Sequence, residues 1–199
     1  MVAYRFEGIL KRGAIEAPER ERSARTWYRN VARRTTANPD TLIRSDRTRF
    51  RIKPEMGNLY TFNYDPKLKE TLPYYDRFPL VIPFHTTRKT GKTLGTEFTG
   101  INLHYLPLKI RARLFDALYT TVDLDDPERT FRINYQILKN AHKYRFFKPC
   151  IKKYLLSNVK SRFFFIEPDE WDIALFLPTE RFVKATKARI HRESIARIT

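Results

Sequence analysis

Hydrophobic and polar positions divide the chain into a centre with the period of β-strands and flanks with the period of helices. Over residues 58–64, Tyr60, Phe62 and Tyr64 alternate with Leu59, Thr61 and Asn63, which gives the segment one aromatic face, as in a strand. The predicted strands cover 58–64, 78–84 and 98–106. A polar segment at 86–96 has the composition of a hairpin tip. We therefore predict a small antiparallel sheet or a Src-homology-like barrel in this region.

Apolar residues beyond this region recur at helical spacing. Pro107 suits a first helical turn, and Ile110, Leu114 and Leu118 then form one apolar stripe. Further helices are predicted from residue 126, from residue 149 and over 179–195, and further strands over 161–166 and 173–177. Together with the central sheet, these elements predict an α+β fold in which residues 54–199 form the body and end in a basic helix.

The first 53 residues are predicted to form a separate basic segment, a helix followed by an extended arm or edge strand over residues 41–53. Over residues 15–37, Trp27 and Val31 lie on the helix face opposite a row of arginines at positions 22, 25, 29 and 33. A proline at position 39 ends this helix. Because the aromatic side must pack against another element, the arginine row is expected to point away from it.

Charge reinforces this division, because the formal net charge of +17 is concentrated at the two ends. Residues 1–53 contain 14 basic and 6 acidic side chains, and residues 139–199 contain the same numbers. The segment between them contains 11 basic and 10 acidic side chains and is nearly neutral. Cationic flanks around a neutral centre favour contact with an anionic partner, although such flanks also occur simply as solvated surface.

Few residues indicate catalysis or metal binding. The four histidines are scattered, and the one cysteine, Cys150, is expected to be a buried thiol. Asp65, Asp76 and Glu97 could converge on a metal ion, which leaves a nuclease as a minor hypothesis. TGKT at 90–93 is similar to the end of a phosphate-binding loop but lacks its upstream glycine. We therefore predict no enzyme activity, no cofactor, no metal site and no small-molecule substrate.

The composition indicates a folded protein without a membrane partner. A hydrophobic fraction of 42% argues against disorder across the whole chain. Charged residues interrupt the N-terminus too early for a signal peptide, and no apolar stretch has the length of a membrane span. We expect a soluble protein made inside a cell, or a component of an assembly formed there.

Nucleic-acid binding requires rows of cations and often exposed aromatic rings. Tyr60, Phe62 and Tyr64 lie on one face of the first predicted strand, where they form either a stacking platform or part of the core. No recognised DNA- or RNA-binding motif is present, so binding would be directed to phosphates and insensitive to base sequence. The candidate residues for contact with DNA or another partner are Arg22, Arg25, Arg29, Arg33, Lys148, Lys152 and Lys153.

Several longer strings allow comparison with known families. They are MGNLYTFNYDPK at 56–67, LPYYDRFPLVIP at 72–83, GINLHYLP at 100–107, SNVKSRF at 157–163 and EPDEWDIALFLP at 167–178. The LPYYD string at 72–76 is the most specific of them. From about residue 56 to 183, the chain resembles a family of tailed-bacteriophage DNA end protector proteins, similar to a head protein of T-even-like myoviruses.

The resemblance implies a virion component, assembled in the host cytoplasm, that binds the ends of packaged double-stranded DNA near the head–tail junction. It implies protection of those ends from exonucleases, and no catalytic residues. An alternative function within a virion is a structural connector of the neck or tail baseplate. In that hypothesis the basic flanks bind other virion proteins, such as those of the portal, neck or baseplate.

Overall fold

The computed structural model describes residues 6–8, 26, 49–86, 95–120, 122, 148–174 and 180–198. Several predicted elements fall wholly or largely outside these residues. They are the N-terminal helix over 15–37, of which only the helical Thr26 is described, the hairpin tip over 86–96, of which residues 87–94 are not described, the helix predicted from residue 126, and the part of the strand predicted over 173–177 that follows residue 174.

Antiparallel strands form two sheets in the described part of the chain. The strands are β1 (Phe50–Arg51), β2 (Leu59–Thr61), β3 (Tyr75–Asp76), β4 (Leu80–Thr86), β5 (Glu97–Asn102), β6 (Ile151–Leu155), β7 (Phe163–Ile166) and β8 (Phe182–Val183). The larger sheet has the order β1-β7-β2-β4-β5-β6, and β3 pairs with β8 in a second, smaller sheet. The larger sheet ends at β1 and β6 instead of closing on itself. The predicted α+β class is therefore confirmed, with an open sheet rather than a closed barrel.

Besides the helical residues 6–8 and 26, the described part of the chain contains three α-helices: α1 (Leu108–Tyr119), α2 (Trp171–Ala174) and α3 (Lys187–Ile198). The prediction for α1 is confirmed, since Pro107 precedes its first turn and Leu114 and Leu118 are buried. None of the described helices has the length and apolar composition that crossing a membrane requires.

One face of the larger sheet packs against the helices. Leu80 and Ile82 of β4 point to this side, because residues two apart in a strand share a face. There they join a core that includes Phe115 of α1, Trp171 of α2 and Ile190 of α3. The rings of Phe115 and Trp171 meet edge to face, with centroids 6.4 Å apart. The helices thus bury one side of the sheet.

The short helical segment at residues 6–8 is attached to α1 through a carboxylate. Asp116 of α1 accepts hydrogen bonds from the backbone N–H groups of Phe6 and Glu7, each at 2.9 Å. Such N–H groups at a helix start have no partner within their own helix, so an external acceptor stabilises them. The Phe6 ring is fully buried against Phe115, with centroids 4.9 Å apart.

The other face of the sheet curls around a second core, which we call the aromatic core. The Phe62 ring lies 5.4 Å from that of Tyr154 in β6 and 4.8 Å from that of Phe163 in β7. Three strands separate β6 from β7 in the sheet, so one ring can meet both only if the sheet is strongly curved. Gly100 of β5 allows this close packing, because a Cβ atom there would overlap Cγ1 of Val81.

The helix predicted from residue 149 is wrong. Residues 148–150 form one 3-10 turn, and the following residues form β6, which pairs with β5. Ile151 and Tyr154 suggested one inward helix face because they are three positions apart. In the strand they lie on opposite faces, Ile151 against the helical core and Tyr154 in the aromatic core. A partly buried strand that contributes one apolar residue to each core therefore has the same spacing of apolar residues as a helix.

Three further boundaries differ from the prediction. The strand expected over 98–106 ends at Asn102, whose side chain accepts a hydrogen bond from the His104 N–H (3.0 Å) and caps a 3-10 turn. The apolar run at 173–177, expected to be a strand, begins in α2 instead. The last helix begins at Lys187 rather than at residue 179, because β8 pairs with β3 before it.

Candidate functional site

A pocket of about 270 Å³ opens beside β6, between the segment at 72–76 and the C-terminal part of α3. Its size is at the lower end of the range for small-ligand sites. The lining is mostly aromatic, basic and proline residues: Tyr64, Pro66, Leu72, Pro73, Tyr74, Tyr75, Asp76, Tyr105, Lys152, Lys153, Tyr154 and Arg197. Rings together with cations suit a ligand that is both planar and anionic.

The segment at 72–76 forms one wall of the pocket, and Lys184 holds the turn that leads into it. The Lys184 ammonium donates hydrogen bonds to the backbone carbonyl oxygens of Lys69 (2.6 Å) and Glu70 (2.8 Å). Lys184 itself has φ of 69°, in the left-handed region that few non-glycine residues adopt. At the other end of the wall, β3 pairs with β8. The wall is therefore positioned by contacts with distant parts of the chain.

A buried polar network forms the floor. One carboxylate oxygen of Asp76 lies 2.8 Å from Nδ1 of His104 and accepts a hydrogen bond from the side-chain amide of Asn102 at 3.1 Å. The other oxygen accepts from two backbone N–H groups, at 3.2 and 3.3 Å. The Asn102 amide also donates to the Tyr154 hydroxyl at 3.1 Å. Because its partners surround it, the Asp76 side chain is only 1% exposed and borders the pocket without presenting its charge to it.

Two cations line the pocket and form no ion pair within the described residues, Lys152 of β6 and Arg197 of α3, although Arg197 interacts electrostatically with Glu193 of the same helix. The Lys152 ammonium lies 4.0 Å from the centroid of the Tyr105 ring, in a cation–π contact. Burial, followed by the positive charge of Arg197, lowers the pKa of Lys152 to about 8, while Cys150 acts in the opposite direction. An anion bound here would oppose both of the effects that lower this pKa.

Half-buried tyrosines supply ring surface next to these cations. Tyr74 and Tyr75 are both partly exposed. The Tyr74 hydroxyl donates to Glu193 of α3 at 2.9 Å, and its ring centroid lies 6.1 Å from that of Tyr105. The Tyr105 ring in turn meets Phe182 of β8 edge to face at 5.3 Å. The aromatic wall is thus anchored to α3 and β8 while part of its surface stays accessible.

The described residues do not assemble a metal site. No group of three or more His, Cys, Asp or Glu side chains among them is arranged to hold an ion. Asp65 and Glu97 each form an ion pair with a lysine, at 3.1 and 2.9 Å, and Asp76 belongs to the floor network. The carboxylates considered for a nuclease therefore have separate partners. Cys150 is buried, and burial raises the pKa of its thiol.

The chain matches one protein family over most of its length. A family model described as Phage T4 terminal DNA protecting protein matches residues 17–195. The chain belongs to this family. It is thus a phage protein that protects DNA ends, and the resemblance seen in the sequence is confirmed. Neither the search of curated proteins nor the search of solved structures finds a match.

The match to the terminal DNA protecting family is longer than the sequence strings indicated. It covers residues 17–195, whereas the strings spanned about 56–183. The arginine row of the N-terminal segment therefore lies inside the family region. Arg22, Arg25, Arg29 and Arg33 lie outside the described residues.

The structure separates the three lysines predicted to contact the DNA or another partner. Lys152 and Lys153 are neighbours in β6, so their side chains leave opposite faces of the strand. The Lys153 ammonium pairs with Glu97 at 2.9 Å, and Lys152 contacts Tyr105 in the pocket. Lys148 is exposed in the 3-10 turn before β6. Of the three, Lys152 alone combines burial in the pocket with the absence of an acidic partner in the described residues.

The alternating aromatic residues of the first predicted strand are core residues. Tyr60, Phe62 and Tyr64 are 0%, 3% and 7% exposed, which confirms the core interpretation over the stacking platform. Tyr64 also lines the pocket.

Sequence reasoning missed the pocket residues that come from other segments, namely Tyr74, Tyr105 and Arg197. One signal for the site was available, because all five residues of the LPYYD string at 72–76 line the pocket. The most specific string of the family resemblance thus coincides with a pocket wall of this terminal DNA protecting protein.

Proposed function

We propose that this protein is a non-enzymatic virion component that binds the ends of packaged double-stranded DNA near the head–tail junction and shields them from exonucleases. The observation that carries the proposal is the pocket, in which Lys152 and Arg197 stand beside tyrosine rings and form no ion pair within the described residues. Membership of a family of terminal DNA protecting proteins supports it.

The charge distribution supports a phosphate-directed mode of binding. The excess of basic residues lies in the two flanks, and the net charge of +17 favours association with a polyanion. We propose that Arg22, Arg25, Arg29, Arg33, Lys148, Lys152 and Lys153 contribute the phosphate contacts. Contacts of this type carry little base specificity.

The test compares linear duplex DNA with closed circular DNA of the same sequence as competitors for the bound protein. We expect linear DNA to compete better, and the bound protein to slow digestion by an exonuclease that starts at ends. If about six to ten phosphates are contacted, affinity should fall roughly 10³–10⁵-fold between 50 and 200 mM salt. Equal competition by linear and circular DNA would refute end binding. Binding to portal, neck or baseplate proteins in its place would favour the connector hypothesis.

A pair of variants tests the arginine row. Arg29→Gln should reduce the slope of log affinity against log salt concentration by about 0.9, because one phosphate contact is lost. Lys109→Gln removes the same charge from an exposed position of α1 and serves as the control, with an unchanged slope expected. If both variants change the slope equally, the row has no special role and only net charge matters.

A further inference from the structure

We propose that the pocket holds the terminal nucleotide of a DNA strand, with a terminal phosphate on Lys152 and Arg197 and the base against the tyrosines of the 72–76 wall. This inference rests on the proposed function and adds to it the part of the DNA that is recognised. It is carried by the size of the pocket, by its accessible rings and by two cations, Lys152 and Arg197, that form no ion pair within the described residues.

The size of the pocket selects one nucleotide. A volume of about 270 Å³ can enclose a small ligand but not a stacked base pair with its two backbones. Entry therefore requires a nucleotide that has left the duplex stack. A terminal nucleotide has one stacked neighbour and an internal one has two, so unstacking costs less at an end. The pocket would thus discriminate ends from interior sequence by a difference in deformation energy.

The charge of the pocket selects a terminal phosphate. A phosphate monoester at a strand end carries between one and two negative charges near pH 7, since its second pKa is about 6. An internal phosphodiester carries only one. Lys152 and Arg197 bring two positive charges to the pocket; neither forms an ion pair within the described residues, and Arg197 interacts electrostatically with the Glu193 carboxylate one helical turn away. The terminal group is therefore the better electrostatic complement.

The nearest acidic group does not oppose this arrangement. Asp76 borders the pocket, but its carboxylate is 1% exposed and receives hydrogen bonds from Asn102 and two backbone N–H groups. Glu193 is not among the lining residues; it accepts from the Tyr74 hydroxyl, pairs with Arg189 at 2.8 Å and interacts electrostatically with Arg197. Both negative charges are thus engaged by protein donors.

The rings of the wall supply a surface for the base. Tyr74 and Tyr75 are half-buried, so part of each side chain is open to solvent. Stacking on tyrosine accepts any base, because every base has a π face. This matches the proposed absence of base specificity. Since Tyr74 is tied to α3 through Glu193 and packs near Tyr105, its ring is held in position before a ligand arrives.

The experiment measures binding of the full chain to short duplexes that differ only in their ends: a 5′-phosphate, a 3′-phosphate or hydroxyl groups alone. Fluorescence anisotropy at fixed salt gives the three affinities. We expect one phosphorylated form to bind about tenfold or more tightly than the hydroxyl form, as for loss of a charge-assisted contact. Which form is preferred identifies the strand end. Equal affinities for all three duplexes would overturn the inference.

Three variants test whether the preference for a terminal phosphate arises in the pocket. Lys152→Gln and Arg197→Gln should each reduce the ratio of phosphate-end to hydroxyl-end affinity towards one. Lys109→Gln removes an equal charge from exposed surface and should keep the ratio of the native protein. Because Arg197 is exposed, its substitution tests the inference even if Lys152→Gln disturbs the fold. An unchanged ratio in Arg197→Gln and in a folded Lys152→Gln would exclude the pocket.

The outcomes separate this inference from the proposed function. Preference for linear over circular DNA without preference for a terminal phosphate would overturn the inference and leave end binding intact. Equal binding of linear and circular DNA would overturn end binding itself. A phosphate preference that depends on Lys152 and Arg197 would support both.

Discussion

Replacing Lys152 by methionine should make the protein more stable while impairing the pocket. Burial lowers the pKa of Lys152 from 10.5 to about 8, so the folded state disfavours the charged form that predominates at pH 7. Each pKa unit corresponds to about 1.4 kcal/mol. Keeping Lys152 charged in the folded state therefore costs about 3 kcal/mol of stability. The cation–π contact with Tyr105 offsets about 1 kcal/mol of it. For Lys152→Met we therefore expect a gain of about 2 kcal/mol in the free energy of unfolding at pH 7.

The gain should depend on pH in a defined direction. Between pH 8 and pH 10.5 the unfolded chain holds the Lys152 proton and the folded chain does not, so the stability of the native protein rises with pH across this window. The methionine variant lacks this contribution. Its advantage should be largest below pH 8 and should disappear towards pH 10.5.

Urea denaturation of both proteins at pH 7 and at pH 10 measures the difference directly. The native protein and the variant share every other titrating group, so subtraction isolates Lys152. Lys109→Met, at an exposed position of α1, is the matched control and should show no pH-dependent gain. A Lys152→Met protein that is no more stable than the native one at pH 7, or whose advantage persists unchanged at pH 10, would show that burial does not penalise this charge.

Other substitutions test the packing around the site. Gly100→Ala should cost about 1–3 kcal/mol because the new Cβ overlaps Val81, and adding Val81→Ala should recover part of this in urea denaturation; no recovery would contradict the proposed overlap. Asp76→Ala leaves buried donors unpaired and should cost about 3 kcal/mol or more, so near-native stability would exclude a structural role for the floor network. Asp116→Ala removes the acceptor of the Phe6 N–H group, and limited proteolysis should show faster cleavage near the N-terminus with the body unchanged.

Prediction from the sequence succeeded at strands made almost wholly of apolar and aromatic residues and at a helix with one apolar stripe. β2 and β4 are buried on both faces, α1 buries its stripe, and all three elements are present. It failed at β6, which contains two lysines and is mostly only partly buried. There Ile151 and Tyr154 are selected by non-local partners, and no pattern within the segment distinguishes this strand from a helix.

The pocket could not be derived from local patterns for a related reason. Tyr74, Tyr105, Lys152 and Arg197 come from four separate segments, and the curvature of the sheet and the packing of α3 bring them together. Lys152 was a candidate because it lies in a basic run. The feature that distinguishes it from Lys153 is its strand face, which appears only once β6 pairs with β5.

Two tyrosines lie both in a hydrophobic core and in the pocket, so that ligand binding is coupled to the stability of the fold. Tyr64 and Tyr154 belong to the aromatic core and also line the pocket. A ligand that occupies the pocket therefore touches the rings around which the sheet curls. At a ligand concentration of 100 times Kd, binding adds about 2.7 kcal/mol to the free energy of unfolding. A copy of the protein bound to a DNA end would then have to release the DNA before its curled sheet could unfold. Because proteases cleave unfolded chain, the bound protein would resist proteolysis.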